Sequence, residues 1–398
     1  MATKLITAES VTEGHPDKLA DRISDAVLDA VLAQDPQGRV ACETFTMQGL
    51  VIIGGEVATT AHIEPGEIAR RVIRDVGYTR PEYGLSHDAC AVAVLIRQQS
   101  PDIAQAVLKA REAKAGSADP YDQVGAGDQG IMFGYATAET PERMPLPITL
   151  AHKLAKRLSE VRRDGTLPYL RPDGKTQVTV EYEDGRPIRA HTVLLAAQHA
   201  EETPLEELRL DLKRLVVEPV LDGWLDEDTE ILVNTSGRFV IGGPASDTGM
   251  TGRKIIADTY GGYGSHGGGA FSGKDPTKVD RSGSYMARYV AINVVAAGLA
   301  EECEVQVAYA IGQAHPIAVN VETHGTGRLS PDALRRVVLE VFDFRPAAII
   351  ERLDLRRPIY EPFACYGHFG RLDLAPTWEA PDRVEELLEA AGARARHC

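Results

Sequence analysis

The chain has 398 residues, 43% apolar and 25% charged, and carries a formal charge of -15. That length and balance suit two or three globular domains, and the acidic excess argues against general nucleic-acid affinity, which leans on phosphate neutralisation. No run approaches the roughly 18 apolar residues of a membrane span, no apolar leader is expected at the start, and five widely spaced cysteines without a C-x-x-C fit reduced thiols in a cytoplasm.

Lys4 to Ala8 reads as a short strand and Ser10 to Pro16 as a loop. Asp17 is expected to cap a helix whose apolar face is Leu19, Ile23, Ala26/Val27 and Ala30/Val31, ending by Pro36. Val40 to Thr46 and Leu50 to Val57 form a predicted hairpin; Ile63 to Val76 is a helix, and Ala89 to Ile96 a buried strand. Ser100 to Gly127 shows no clean period and reads as a mobile lid or a disordered segment, with Gln99 and Asp128 at its ends as substrate contacts or plain loop residues. Helices follow at 148–162, 205–220, 280–300, 334–342 and 382–391, and strands at 177–182, 189–197, 230–234 and 305–311. Mixed strands and helices with hairpins indicate α+β layers, with no repeat evident in the sequence.

The region from Arg238 to Arg281 is basic where the whole is acidic, with six Lys/Arg against four Asp. Eleven of the 37 glycines lie between Gly242 and Gly273. Glycine lets backbone N–H groups approach a ligand, and clustered Lys and Arg suit phosphate oxygens. GGGAFSGKDPTKVDRS, Gly267 to Ser282, is thus a candidate polyphosphate site; the alternative is a plain glycine-rich loop. Two G-x-G-x-x-G strings, at Gly125 and Gly262, lack the βαβ context of a dinucleotide fold. Gly268-x₄-Gly273-Lys274-Asp275 is a near P-loop with Asp in place of Ser or Thr.

His15-Pro16-Asp17 precedes a helix, where an anion and Mg²⁺ are plausible guests, or Asp17 is only a cap. Asp173-Gly174-Lys175 is a charged turn before a strand, or a solvated loop. Glu43 and Glu56 sit in apolar strands, where a carboxylate needs a cation or an outward position.

With these segments in one order, the chain resembles the S-adenosylmethionine synthetase family from Ser10-Val-Thr-Glu-Gly-His-Pro-Asp-Lys18 to Ala364-Cys-Tyr-Gly-His-Phe-Gly-Arg371. GAGDQGIMFGYA, Gly125 to Ala136, and the Gly267 segment are similar to the family's signatures. The resemblance implies synthesis of S-adenosylmethionine from ATP and L-methionine, with the tripolyphosphate cleaved to phosphate and diphosphate. It implies three similar α/β domains about a pseudo-threefold axis, two Mg²⁺, one K⁺, and a homotetramer of paired dimers with active sites between subunits. The matching boundaries are 1–101, a loop at 102–127, 128–241 and 242–398. By position it assigns His15, Asp173, Gly174, Lys175, Arg238, Phe239, Asp247, Arg253, Lys254, Ala270 and Lys274 to ATP. His15, Lys175, Arg253 and Lys274 would be catalytic; Glu56, Gln99, Asp247 and Lys278 would hold methionine. Asp17 and Asp280 would take Mg²⁺, and Glu43 the K⁺.

Two other readings compete with the adenosyltransferase. A kinase or ATPase of another fold, built on the near P-loop, would release ADP. A non-catalytic relative would bind nucleotide or scaffold a partner, and need not keep each polar position filled.

Overall fold

In the computed structural model, residues 3–98 and 109–395 are described. Thirteen strands occur among them: β1 (Thr3–Val11), β2 (Arg39–Met47), β3 (Leu50–Ala58), β4 (Thr79–Arg80), β5 (Leu85–Ser86), β6 (Ala91–Gln98), β7 (Gly130–Thr137), β8 (Leu170–Glu183), β9 (Arg186–His199), β10 (Glu230–Val233), β11 (Gly249–Met250), β12 (Glu302–Tyr309) and β13 (Ala318–Glu322). They build three main sheets, ordered β1-β8-β9-β10, β11-β2-β3-β6 and β13-β12-β7, plus the β4-β5 pair.

The order helix, hairpin, helix recurs three times. Helix α1 (Pro16–Leu32) leads into β2-β3 and the Pro65–Val76 helix; Leu146–Arg163 leads into β8-β9 and Leu205–Leu212; Val279–Ala296 leads into β12-β13 and Pro331–Val341. In the first two units a parallel strand closes the sheet, β6 beside β3 and β10 beside β9. The repeat is structural, and side-chain chemistry hides it from a reading of the sequence.

The units also exchange strands in a cycle. β1, which leads the first unit, pairs antiparallel with β8 of the second; β7, leading the second, pairs with β12 of the third; β11, leading the third, pairs with β2 of the first. Cuts at 101, 127 and 241 therefore leave each sheet holding one strand from a neighbour. β7 lies so close to the Val279–Ala296 helix that a Cβ on Gly134 would sit 1.9 Å from the Ala287 carbonyl carbon. Glycine is required there by close approach alone.

Several expectations need correcting. β1 runs on to Val11, into the expected loop. β7 lay unread inside a glycine-rich signature, and the 205–220 helix contains a π turn at Lys213–Val217. β6 is not buried: Leu95 is 63% and Val94 44% exposed. Sheet β11-β2-β3-β6 packs one face on α1 and the Pro65–Val76 helix and, among the described residues, leaves the other open, which exposes Leu95. Val94 lies on the packed face, in the row of buried Ile53 and Thr44, and is exposed because β6 is an edge strand. Residues 99–108, including Gln99 and the first part of the expected lid, lie outside the described residues. The remainder, 109–127, is not structureless. It holds the Arg111–Lys114 helix and is pinned by backbone bonds from Arg111 N to Gly312 O (2.9 Å) and Ala126 N to Gln313 O (2.8 Å). Arg345 then bonds Asp119 and Asp122 at 2.9 and 2.8 Å.

Candidate active site

The start of α1 is built from His15. Its side chain, not that of Asp17, caps the helix: Nδ1 accepts the Asp17 N–H at 3.2 Å. That bond leaves the ring proton on Nε2. His15 is buried, and burial followed by the charge of Lys254 pushes its pKa down to about 3, so the imidazole is neutral. Nδ1 lies 3.9 Å from an Asp17 oxygen, but with a neutral ring this is no ion pair.

Asp17, 3% exposed, receives the Lys254 ammonium at 2.5 Å and the Met250 N–H at 2.9 Å, with Arg253 at 4.0 Å. Burial alone would raise its pKa, but Lys254 and the Met250 N–H outweigh burial and hold it below the ordinary carboxylate value. A second pair repeats the chemistry in the Gly267–Ser282 loop, where Lys274 meets Asp280 at 2.6 Å. The loops touch: a Cβ on Gly252 would be 2.6 Å from the Ala270 Cβ. Lys274 bridges to Ala41 of β2, and Cys42 N donates to the Gly273 carbonyl at 2.9 Å. Lys278 is engaged by Asp275, and the backbone at Thr277 and Lys278 lies against Gly127, next to Asp128.

Asp173 is buried and accepts the Gly243 N–H at 2.7 Å, while its Oδ1 has no hydrogen-bond partner. Burial raises its pKa to about 6. Gly174 accepts the Thr12 N–H at 2.9 Å, which binds this turn to the loop ahead of His15; Lys175 is opposite Val11 and adds to the positive field on His15. Gln198, unread in the sequence, accepts from Asp173 N at 3.3 Å and donates to Val240 O at 3.0 Å. It thereby ties Asp173 to the Arg238–Phe239 segment, where Phe239 N donates to His199 Nε2 at 3.1 Å. The Arg238 side chain points elsewhere, onto Glu201, and is 54% exposed. Asp247 is exposed and near enough to raise the Asp173 pKa.

Glu56 lies in the row of Ala41, the residue that Lys274 bridges, and Glu43 lies two residues further along β2. They share the uncovered face of the second sheet, in register rows Phe45–Ile52–Ala93, Glu43–Gly54–Leu95 and Ala41–Glu56–Arg97. No group of three or more His, Cys, Asp or Glu suited to a metal occurs among the described residues. Single carboxylates at Asp17 and Asp280, each facing a cation, fit Mg²⁺, which is held by one or two carboxylates with water and substrate phosphates. Glu43 supplies one exposed oxygen donor of the type K⁺ accepts.

Comparison with known proteins matches three family models in order: the S-adenosylmethionine synthetase N-terminal domain over 3–101, its central domain over 123–239 and its C-terminal domain over 241–380. The S-adenosylmethionine synthase of Desulforudis audaxviator (strain MP104C) is 60% identical over 391 residues, covering 98% of this chain and 99% of that protein. That of Clostridium tetani (strain Massachusetts / E88) is 57% identical over 385 residues, covering 96% and 98%. With three domains matched in sequence and these relatives covered end to end, the chain belongs to the S-adenosylmethionine synthetase family.

Proposed function

We propose that this chain makes S-adenosylmethionine from ATP and L-methionine through one cationic constellation that serves two steps. The observation that carries the reading is the pair of adjoining loops in which Lys254 meets Asp17 and Lys274 meets Asp280. Lys254 and Lys274 would turn to a polyphosphate and leave Asp17 and Asp280 to hold Mg²⁺, an exchange of partners that would preserve local charge balance. The thioether sulfur is already a nucleophile and needs no base. The barrier lies in aligning sulfur, ribose C5′ and leaving oxygen, and in holding charge on the departing tripolyphosphate. Lys175, Arg253, Lys254 and Lys274 supply that field, and neutral His15 donates Nε2–H to the bridging oxygen as the C–O bond breaks. Bound Mg²⁺ neutralises phosphate charge. Asp173, Gly174, Phe239, Asp247 and Ala270 border the nucleotide, and the Arg238 side chain would leave Glu201 to join them. Glu56 and Asp247 hold the methionine ammonium, with Lys278 and Gln99 on the same substrate. The retained tripolyphosphate is then hydrolysed among the same cations.

Two Mg²⁺ and one K⁺ per site, the latter at Glu43, complete this reading. The uncovered face carrying Glu43, Glu56, Phe45, Ile52 and Leu95 supports subunit pairing there, within a homotetramer whose sites lie between subunits. Cys42, Cys90, Cys303 and Cys365 are free, which suits a cytoplasmic enzyme. Lys274→Met tests the shared constellation: sulfonium formation and hydrolysis of added tripolyphosphate should fall together, whereas loss of one alone contradicts it.

A further inference from the structure

Helix α1 has an aspartate at every fourth position, Asp17, Asp21, Asp25 and Asp29, beside its apolar face. That spacing lines the carboxylates along one side over about 18 Å. Each accepts a backbone N–H from a later segment: Met250 on Asp17 (2.9 Å), Gly252 on Asp21 (2.8 Å), Gly273 on Asp25 (2.8 Å), and Tyr360 and Glu361 on Asp29 (2.9 and 2.8 Å). The row is thus a mount for both cationic loops. A solvated stripe would leave these oxygens to water.

The third rung pairs two wholly buried charges. Asp25 and Arg281 are each 0% exposed. Arg281 Nη2 reaches the two Asp25 oxygens at 2.9 and 2.8 Å, its Nη1 donates to the Lys274 carbonyl at 2.8 Å, and the guanidinium lies 4.4 Å from the Tyr360 ring centre. A pair taken this far from water contributes little net stability over apolar packing, because desolvation offsets the attraction. Its geometric effect is specific. It grips the Gly273 N–H and the Lys274 C=O, which bracket the Lys274 Cα. Gly273 has φ +78°, and a Cβ there would lie 1.8 Å from the Cys42 oxygen, so this backbone has no room to shift.

We propose that Asp25 and Arg281 are positioning residues that fix the backbone around Lys274, so that its ammonium meets the polyphosphate at one point in both steps. This rests on the reading of Lys274 as a polyphosphate ligand. Arg281→Lys keeps a cation beside Asp25 but loses the fork that also holds Lys274 O. Sulfonium kcat and tripolyphosphate hydrolysis should drop together by about 10- to 100-fold, as expected for a misplaced cation, with KM for methionine within about threefold. In a Lys274→Met background the same change should cost nothing further. Full additivity there, or unchanged kcat in folded Arg281→Lys, overturns the proposal. Should Arg281→Lys fail to fold, the double variant Asp25→Asn/Arg281→Gln, which leaves no orphan charge, must show the same non-additivity. If neither folds, the pair is structural and the proposal falls. Normal turnover by Lys274→Met alone would show that the polyphosphate reading had failed, and the proposal with it.

Discussion

At the scale of single residues, the site turns on which groups are charged. Asp173 has its pKa raised to about 6 by burial, so it ionises well above the usual carboxylate range. As the ionised acceptor of the Gly243 N–H it is present above that pH and lost as the pH falls through it. The kcat/KM for ATP should therefore decline below about pH 6, since this ratio reports groups of the free enzyme. The acid limb should persist in the residual activity of His15→Asn and vanish in Asp173→Asn; a limb abolished by His15→Asn instead would reassign it. His15→Asn itself should slow C–O cleavage by roughly two to four orders of magnitude, as for loss of one transition-state donor, while sparing ATP binding. An unchanged kcat would reduce His15 to the cap of α1. Lys274 is 27% exposed in its side chain, and its pair with Asp280 is worth about 1 kcal/mol or less, so Lys274→Met should melt near the parent temperature while losing activity.

At the scale of elements, close approaches decide more than propensities. Gly134→Ala would force β7 away from the Val279–Ala296 helix and should destabilise by about 2–4 kcal/mol, seen as a lowered midpoint in denaturant. An unchanged midpoint would mean that strand and helix are not in backbone contact. Arg345→Ala removes the clamp on Asp119 and Asp122 and should speed tryptic cleavage after Arg111 and Lys114 by about tenfold, for a local opening cheaper by about 1.4 kcal/mol. Equal cleavage would mean that the backbone bonds to Gly312 and Gln313, with the Glu112 carboxylate on Ala314 N and His315 N, anchor the segment without Arg345. Long amphipathic helices and hairpins were legible because their periods survive in the sequence. β7 was not, since its glycines answer to a neighbouring helix rather than to strand propensity. The aspartate row of α1 is written at i, i+4 spacing, but beside the apolar face it has the pattern of an ordinary solvated stripe. Its meaning depends on N–H groups more than 200 residues away (Gly273 on Asp25, for example). Gln198 carries no motif, and only the fold brings it between Asp173 and Val240.

At the scale of the whole molecule, three units hold one another by exchanged strands, and the loops that carry the site lie at those exchanges. β1 ends beside Lys175 just before His15, and β11 ends just before Arg253 and Lys254. The cations are therefore set by the joining of units and not by any one of them. The sheet face bearing Glu43 and Glu56 is open among the described residues, and Leu95→Asp on its edge strand β6 should lower the assembled mass in light scattering and reduce turnover with it; an active, unassembled variant would detach catalysis from pairing. The central claim is that one constellation makes the sulfonium and then cleaves the polyphosphate. It is tested most directly by giving the purified protein ATP, methionine, Mg²⁺ and K⁺ and weighing the products by mass spectrometry. The account predicts S-adenosylmethionine with equal amounts of phosphate and diphosphate; ADP or AMP without the sulfonium product would contradict it.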